Sequence, residues 1–211
     1  MAIIFCKNIS NKSIVSLWKI EETSAFYLEY LGIAEEDLLK ISGVTHPVKQ
    51  LEWLASRTCA KFTMQQFGLT FHGIGKDEQK NPFLHKHDAF ISLSHTNEYA
   101  AVIVNLKDDV GCDIEKISDK LLRVAHKYLS ENELQFAQND LQKLCILWCA
   151  KESLYKWYGK KNLSFKDNIY IEPFEEKPFK LKGEIFIEGK LKTEHELLVF
   201  YQDDFVFTTT N

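Results

Sequence analysis

The sequence predicts an α+β protein of two similar lobes, each a small antiparallel sheet with helices packed against it. Three observations carry this reading. Runs that alternate residue by residue occur near the start, in the middle and at the end of the chain. Helical runs with apolar residues at 3.6-residue spacing separate them in both halves. No long linker or low-complexity segment interrupts either half.

Taken in order, "AIIFC" and "SIVSLWKI" read as two strands, and "AFYLEYL" and "EEDLL" as a helical region. Pro47 opens a longer helix that Gly68 ends, because proline suits a first helical turn and glycine the exit. "AFISLSH" and "YAAVIVN" are two strands joined tightly through Thr96 and Asn97, and the strand "VGCDIE" follows. "SENE" is a capping box with Ser130 at the N-cap and Glu133 three residues on. The next helix runs from about Leu141 to Tyr158 and stops at Gly159. "EIFIEG", "ELLVFY" and "FVFTTT" close the chain as strands, with turns at Gly189–Lys190 and Asp203–Asp204. The lobes are placed at 1–106 and 107–211.

Composition narrows the function classes. The 211 residues are 45% apolar with a formal net charge of −4 and no clustered basic runs, so no nucleic-acid partner is expected. No apolar stretch reaches the ~18 residues that span a bilayer. "MAIIFCKNIS" lacks the basic and apolar regions of a signal peptide, so no membrane association is expected and the protein is read as cytoplasmic. The odd count of five cysteines, without a C-x-x-C, predicts buried thiols in a reducing compartment rather than a disulfide framework.

Two stretches carry candidate chemistry. In "DDVGCDIEKI", Asp113 and Glu115 share one strand face, roughly 6.5–7 Å apart; alone, such a pair is better explained by a solvated face. In "LWCAKESLYK", Trp148, Glu152 and Lys156 line one helix stripe, flanked by Lys151 and Tyr155, within an apolar turn. A surface Glu152–Lys156 ion pair is the alternative there. Three carboxylates converging without a cation would repel and protonate. Converging on Mg²⁺, which takes hard oxygen ligands and leaves positions for water and phosphate, they would be satisfied. Asp113, Glu115 and Glu152 are therefore the candidate metal ligands, with Lys151 and Lys156 facing phosphate. Ser94 and His95 end a strand at a tight turn, where they can donate to phosphate, although a lone histidine is also a common structural residue.

"ISLSHT", "VGCDIEK" and "LWCAKESLYK", in that order and spacing, resemble the 4′-phosphopantetheinyl transferase superfamily, in particular the monomeric two-lobed type that activates peptide and polyketide synthase carrier proteins. The resemblance implies a pseudo-twofold pair of lobes with the ligand in a cleft between them. It implies Asp113, Glu115 and Glu152 as magnesium ligands, His95 with Ser94 on the coenzyme A phosphates, and Lys156 on the pyrophosphate. Lys49 and Arg57, eight residues apart on one face of the first long helix, match basic positions near the 3′-phosphate, with Lys61 continuing that face. Where the family has G-K-P, this chain reads Lys80–Asn81–Pro82, so Lys80 or Lys76 takes over the missing lysine's contact.

The implied reaction moves the phosphopantetheine arm of coenzyme A onto a serine of an apo carrier protein. It is Mg²⁺-dependent, releases adenosine 3′,5′-bisphosphate, and uses Glu152 as first choice and Lys151 as second for taking the serine proton. Exposed members of "LLRVAHKYL" are candidates for carrier docking. The same carboxylates would also serve a Mg²⁺-dependent nucleotide phosphohydrolase, and a non-catalytic coenzyme A- or carrier-binding module would show them as relics.

Overall fold

The computed structural model describes residues 2–160 and 162–211, and the chain divides into two compact units, Met1–Asp108 and Asp109–Asn211. In the first, β1 (Ile3–Asn8), β2 (Ser13–Lys19), α1 (Ser24–Leu31) and a single 3-10 turn (Glu35–Asp37) lead into α2 (Leu38–Ser42) and α3 (Pro47–Gln66). The hairpin β3 (Ile74–Lys76) and β4 (Pro82–Leu84) comes next, then β5 (Phe90–His95) and β6 (Tyr99–Asn105). The strands β1, β2, β6 and β5 form one antiparallel sheet in that order. Pro47 occupies the first turn of α3, where its missing N–H costs nothing, and Gly68 just beyond the helix takes φ +70°. The α3 residues Leu54, Ala55, Cys59 and Met64 bury against Trp18 of β2 and Val102 of β6.

The second unit contains β7 (Cys112–Lys116), α4 (Lys120–Tyr128), α5 (Glu131–Ala137), α6 (Leu141–Tyr158), β8 (Ile169–Ile171), β9 (Lys180–Ile187), β10 (Lys190–Gln202) and β11 (Phe205–Thr210). Its five strands lie in the order β7-β11-β10-β9-β8, all antiparallel. Leu147, Ala150 and Leu154 of α6 pack on Ile185, Leu197 and Val206 of the sheet. The Ser130–Glu133 capping box forms as the sequence implies, and Gly159 closes α6 in the left-handed region. The hairpin β3–β4 and strand β8 were not legible as periodic runs, since three residues are too few to show alternation. None of the five cysteines forms a disulfide, and no described helix is long and apolar enough to cross a membrane.

Candidate active site

The residues of "VGCDIE" and "KESLYK" meet in the second unit because α6 lies directly on β7 and β11. Gly111 permits that approach. A Cβ at this position would lie 1.9 Å from the Ser153 carbonyl oxygen and 2.6 Å from the Trp157 nitrogen. Ser153 fixes the same turn from the other side, its hydroxyl lying 2.7 Å from Thr208 Oγ1 and 3.1 Å from the Thr208 carbonyl oxygen.

This packing buries the acidic face. Asp113 is 5% exposed, so the solvated-face explanation fails for it. Lys156 donates to Asp113 Oδ1 at 2.8 Å and to the Cys112 carbonyl at 2.9 Å, rather than pairing with Glu152 one turn away. Burial alone would lower the Lys156 pKa, but the Asp113 charge and its neighbours outweigh it and raise it. Burial, reinforced by the charge of Asp113, pushes Glu152 up to about 7 and also raises Glu115. Trp148 donates a hydrogen bond to Glu115 and opposes part of that rise.

Glu115 and Glu152 also border a pocket of about 570 Å³. Its apolar lining comes from Leu121, Val124, Tyr128, Trp148 and Phe165, with Lys116, Lys120 and Lys127 contributing charge. Tyr128 and Trp148 pack edge to face at 4.8 Å.

The donor chemistry fits a hard divalent cation. The three carboxylates offer oxygen only, and a cation would offset the burial and the neighbouring negative charge that raise Glu115 and Glu152. Among the described residues no three His, Cys, Asp or Glu side chains are grouped closely enough to hold a metal ion by themselves. An ion held here would draw the rest of its shell from water and from substrate oxygens.

Lys151, read from the sequence as a candidate for proton transfer, has a different setting. It is 0% exposed, and its Nζ donates to Glu133 Oε2 (2.7 Å) and to the carbonyls of Tyr128 (3.0 Å), Phe165 (2.8 Å) and Ile169 (2.7 Å). A lysine with four acceptors and no exposed surface is not available to a substrate proton.

In the first unit, the sequence pointed to Lys49 and His95 but not to the side chain between them. Glu52, 2% exposed, accepts from Lys49 Nζ at 2.9 and 2.7 Å and lies 3.1 Å from His95 Nδ1. Its spacing of three from Lys49 was the available signal. Arg57 stands over the Trp53 ring at 4.5 Å, donates to Ser56 Oγ, and pairs with no carboxylate among the described residues. Burial lowers its pKa to about 10. Lys61 does not continue the Lys49–Arg57 set, since it caps the Tyr30 carbonyl and covers the Tyr30 ring. Ser94 sits one residue before His95 on β5. Lys76 and Lys80 are exposed on the β3–β4 hairpin. Lys80 holds φ +73°, a conformation that favours the glycine of the G-K-P pattern.

Comparison with known proteins matches both units to one superfamily. Residues 109–210 match the family described as the 4′-phosphopantetheinyl transferase superfamily, and residues 35–105 match the 4′-phosphopantetheinyl transferase N-terminal domain. A similar relative is the 4′-phosphopantetheinyl transferase gsp of Aneurinibacillus migulanus, 32% identical over 90 residues. That match covers 40% of this chain and 37% of the relative's length. With both units matched and the acidic strand, the lysine–glutamate helix and the serine–histidine strand end each in place, this chain belongs to the 4′-phosphopantetheinyl transferase superfamily.

Proposed function

We propose that this protein transfers the 4′-phosphopantetheine arm of coenzyme A to a serine hydroxyl of an apo carrier protein and releases adenosine 3′,5′-bisphosphate. The observation that supports this most is the second unit's pocket, in which two carboxylates raised above their usual range border an apolar chamber. The serine oxygen forms a bond to the β-phosphorus as the bond to the leaving bisphosphate breaks. The serine proton passes to Glu152, directly or through a water, because its carboxylate borders the pocket. Lys156, anchored by Asp113 and the Cys112 carbonyl, presents a fixed positive charge to the pyrophosphate. Asp113, Glu115 and Glu152 would hold Mg²⁺, which when bound neutralises charge on the phosphate oxygens. The apolar lining suits the uncharged pantetheine arm. The exposed Lys120, Arg123 and Lys127 of α4 give an acidic carrier helix a basic surface to dock against, despite the chain's overall charge of −4.

Purified protein, coenzyme A, Mg²⁺ and an apo carrier protein are expected to yield a carrier heavier by one phosphopantetheine arm, and a chelator is expected to stop the reaction. Transfer at full rate in excess chelator would remove the metal from the scheme, and an unchanged carrier mass with coenzyme A consumed would indicate a hydrolase. Mg²⁺ and coenzyme A together are also expected to raise the melting temperature by more than the sum of their separate shifts. Saturation about a hundredfold above the dissociation constant adds ~2.7 kcal/mol of stability, and strictly additive shifts below saturation would dissociate the metal from the ligand.

Arg57 supports a role for the first unit, because a half-buried guanidinium without a carboxylate partner suits a phosphate dianion. Wild type is expected to prefer coenzyme A over dephospho-coenzyme A, and Arg57→Ala to shrink that preference by weakening coenzyme A alone. Equal weakening of both ligands, read by calorimetry, would make Arg57 a structural residue stacked on Trp53.

A further inference from the structure

The capping-box glutamate of α5 and the buried lysine of α6 form one ion pair that ties three further segments of the second unit to these helices. Glu133 Oε2 accepts from Lys151 Nζ at 2.7 Å and from Ser130 N and Oγ, while its Oε1 accepts from Ile171 N at 3.1 Å. Lys151 reaches the last residue of α4 through the Tyr128 carbonyl, the segment after α6 through Phe165, and β8 through Ile169. Both side chains are essentially without exposed surface. Burial pulls the Lys151 pKa down and the Glu133 charge opposes it. Two of the carbonyls so held belong to Tyr128 and Phe165, whose rings line the pocket beside Glu152, the residue next to Lys151 in sequence.

We propose that Glu133 and Lys151 are positioning residues: a buried clamp that sets the aromatic wall of the pocket relative to Glu152 and so determines how the pantetheine arm is held. This rests on the reading of the pocket as the arm's site and deepens it. The Lys151 ammonium gathers three carbonyls and one carboxylate from different segments around one cation. A buried pair of this kind costs desolvation that an apolar pair would avoid, and what it supplies here is a fixed register between these segments.

The double variant Glu133→Gln with Lys151→Met removes both charges while leaving the N3 position a glutamine, which a capping box also accepts. Its binding of coenzyme A and of adenosine 3′,5′-bisphosphate, which lacks the arm, is compared with that of wild type. We expect coenzyme A to weaken about tenfold or more, the bisphosphate to change by less than about twofold, and kcat at saturating coenzyme A to fall by no more than about threefold. Equal weakening of both ligands would make the pair merely structural, and unchanged binding would make it irrelevant to the arm. A kcat loss on the order of a hundredfold with unchanged binding would restore Lys151 as a proton acceptor. Each of these three overturns the proposal. Val124→Trp, which fills the pocket, separates the two levels of the argument. If it leaves coenzyme A binding intact, the arm is not in this pocket and the underlying reading falls; if it weakens coenzyme A while the double variant does not, the clamp alone falls. Should the double variant fail to fold, hydrogen exchange on wild type decides. Coenzyme A is expected to slow the amides of residues 164–171 and the bisphosphate is not, and equal protection by the two ligands overturns the clamp.

Discussion

Replacing Glu152 by Gln is expected to remove most of the transfer activity, on the order of a hundredfold or more in kcat, while raising the stability of the metal-free protein above pH 7. Both signs come from one environment. Glu152 lies against Asp113 and Glu115 in a part-buried setting that holds its pKa at about 7. The unfolded carboxyl titrates near 4.5. Between these values the folded protein keeps a proton that the unfolded chain has lost, so stability falls as pH rises through that window. The penalty is on the order of 2–3 kcal/mol when fully developed, and a neutral amide does not incur it. Thermal melts in chelator across pH 4–8 are expected to show this slope in wild type and a flatter one in Glu152→Gln. A carrier-labelling assay on the same samples measures the chemistry. An activity loss below tenfold, under ~1.4 kcal/mol of barrier, would mean that Glu152 is neither proton acceptor nor metal ligand. A loss of activity together with a loss of stability would point instead to a disturbed fold.

Gly111→Ala is expected to be the most damaging single-methyl change in the second unit, costing about 3–5 kcal/mol and lowering the melting temperature by roughly 10 °C. The added carbon would lie 1.9 Å from a backbone oxygen of α6, and backbone cannot move aside as a side-chain tip can. Relief requires α6 to lift from β7, which would pull Ser153 from Thr208 and Lys156 from Asp113. Activity is therefore expected to fall even at temperatures where the variant remains folded. Gly189→Ala is the matched control. It has open space around the new carbon but holds φ +73°, so only the backbone penalty of about 1 kcal/mol applies. Comparable losses at the two glycines would show that the approach of α6 to β7 is looser than the packing indicates.

The local grammar of this protein is written in short stretches. A proline at the start of α3, a glycine at the end of α6 and the Ser130–Glu133 capping box each specify an end with residues only a few positions apart, and each is found where the sequence places it. The α+β class and the three motifs were legible for the same reason: periodicity and spacing are properties of neighbouring residues. The two roles of Glu133 mark the limit. Its cap is local and could be read, while its partnership with Lys151 joins residues 18 positions apart and could not. In sequence, Glu152 and Lys156 shared one helix stripe with Lys151 beside it as candidate site residues, and Ser153 was not singled out. Packing sends Lys151 into the interior, Glu152 to the pocket, Ser153 to β11 and Lys156 to Asp113. The sequence by itself determined which elements form and which residues carry charge. The tertiary structure alone decided which charge meets which, because burial and pairing depend on contacts between residues far apart in the chain, and those contacts set both the cost of each charge and its pKa.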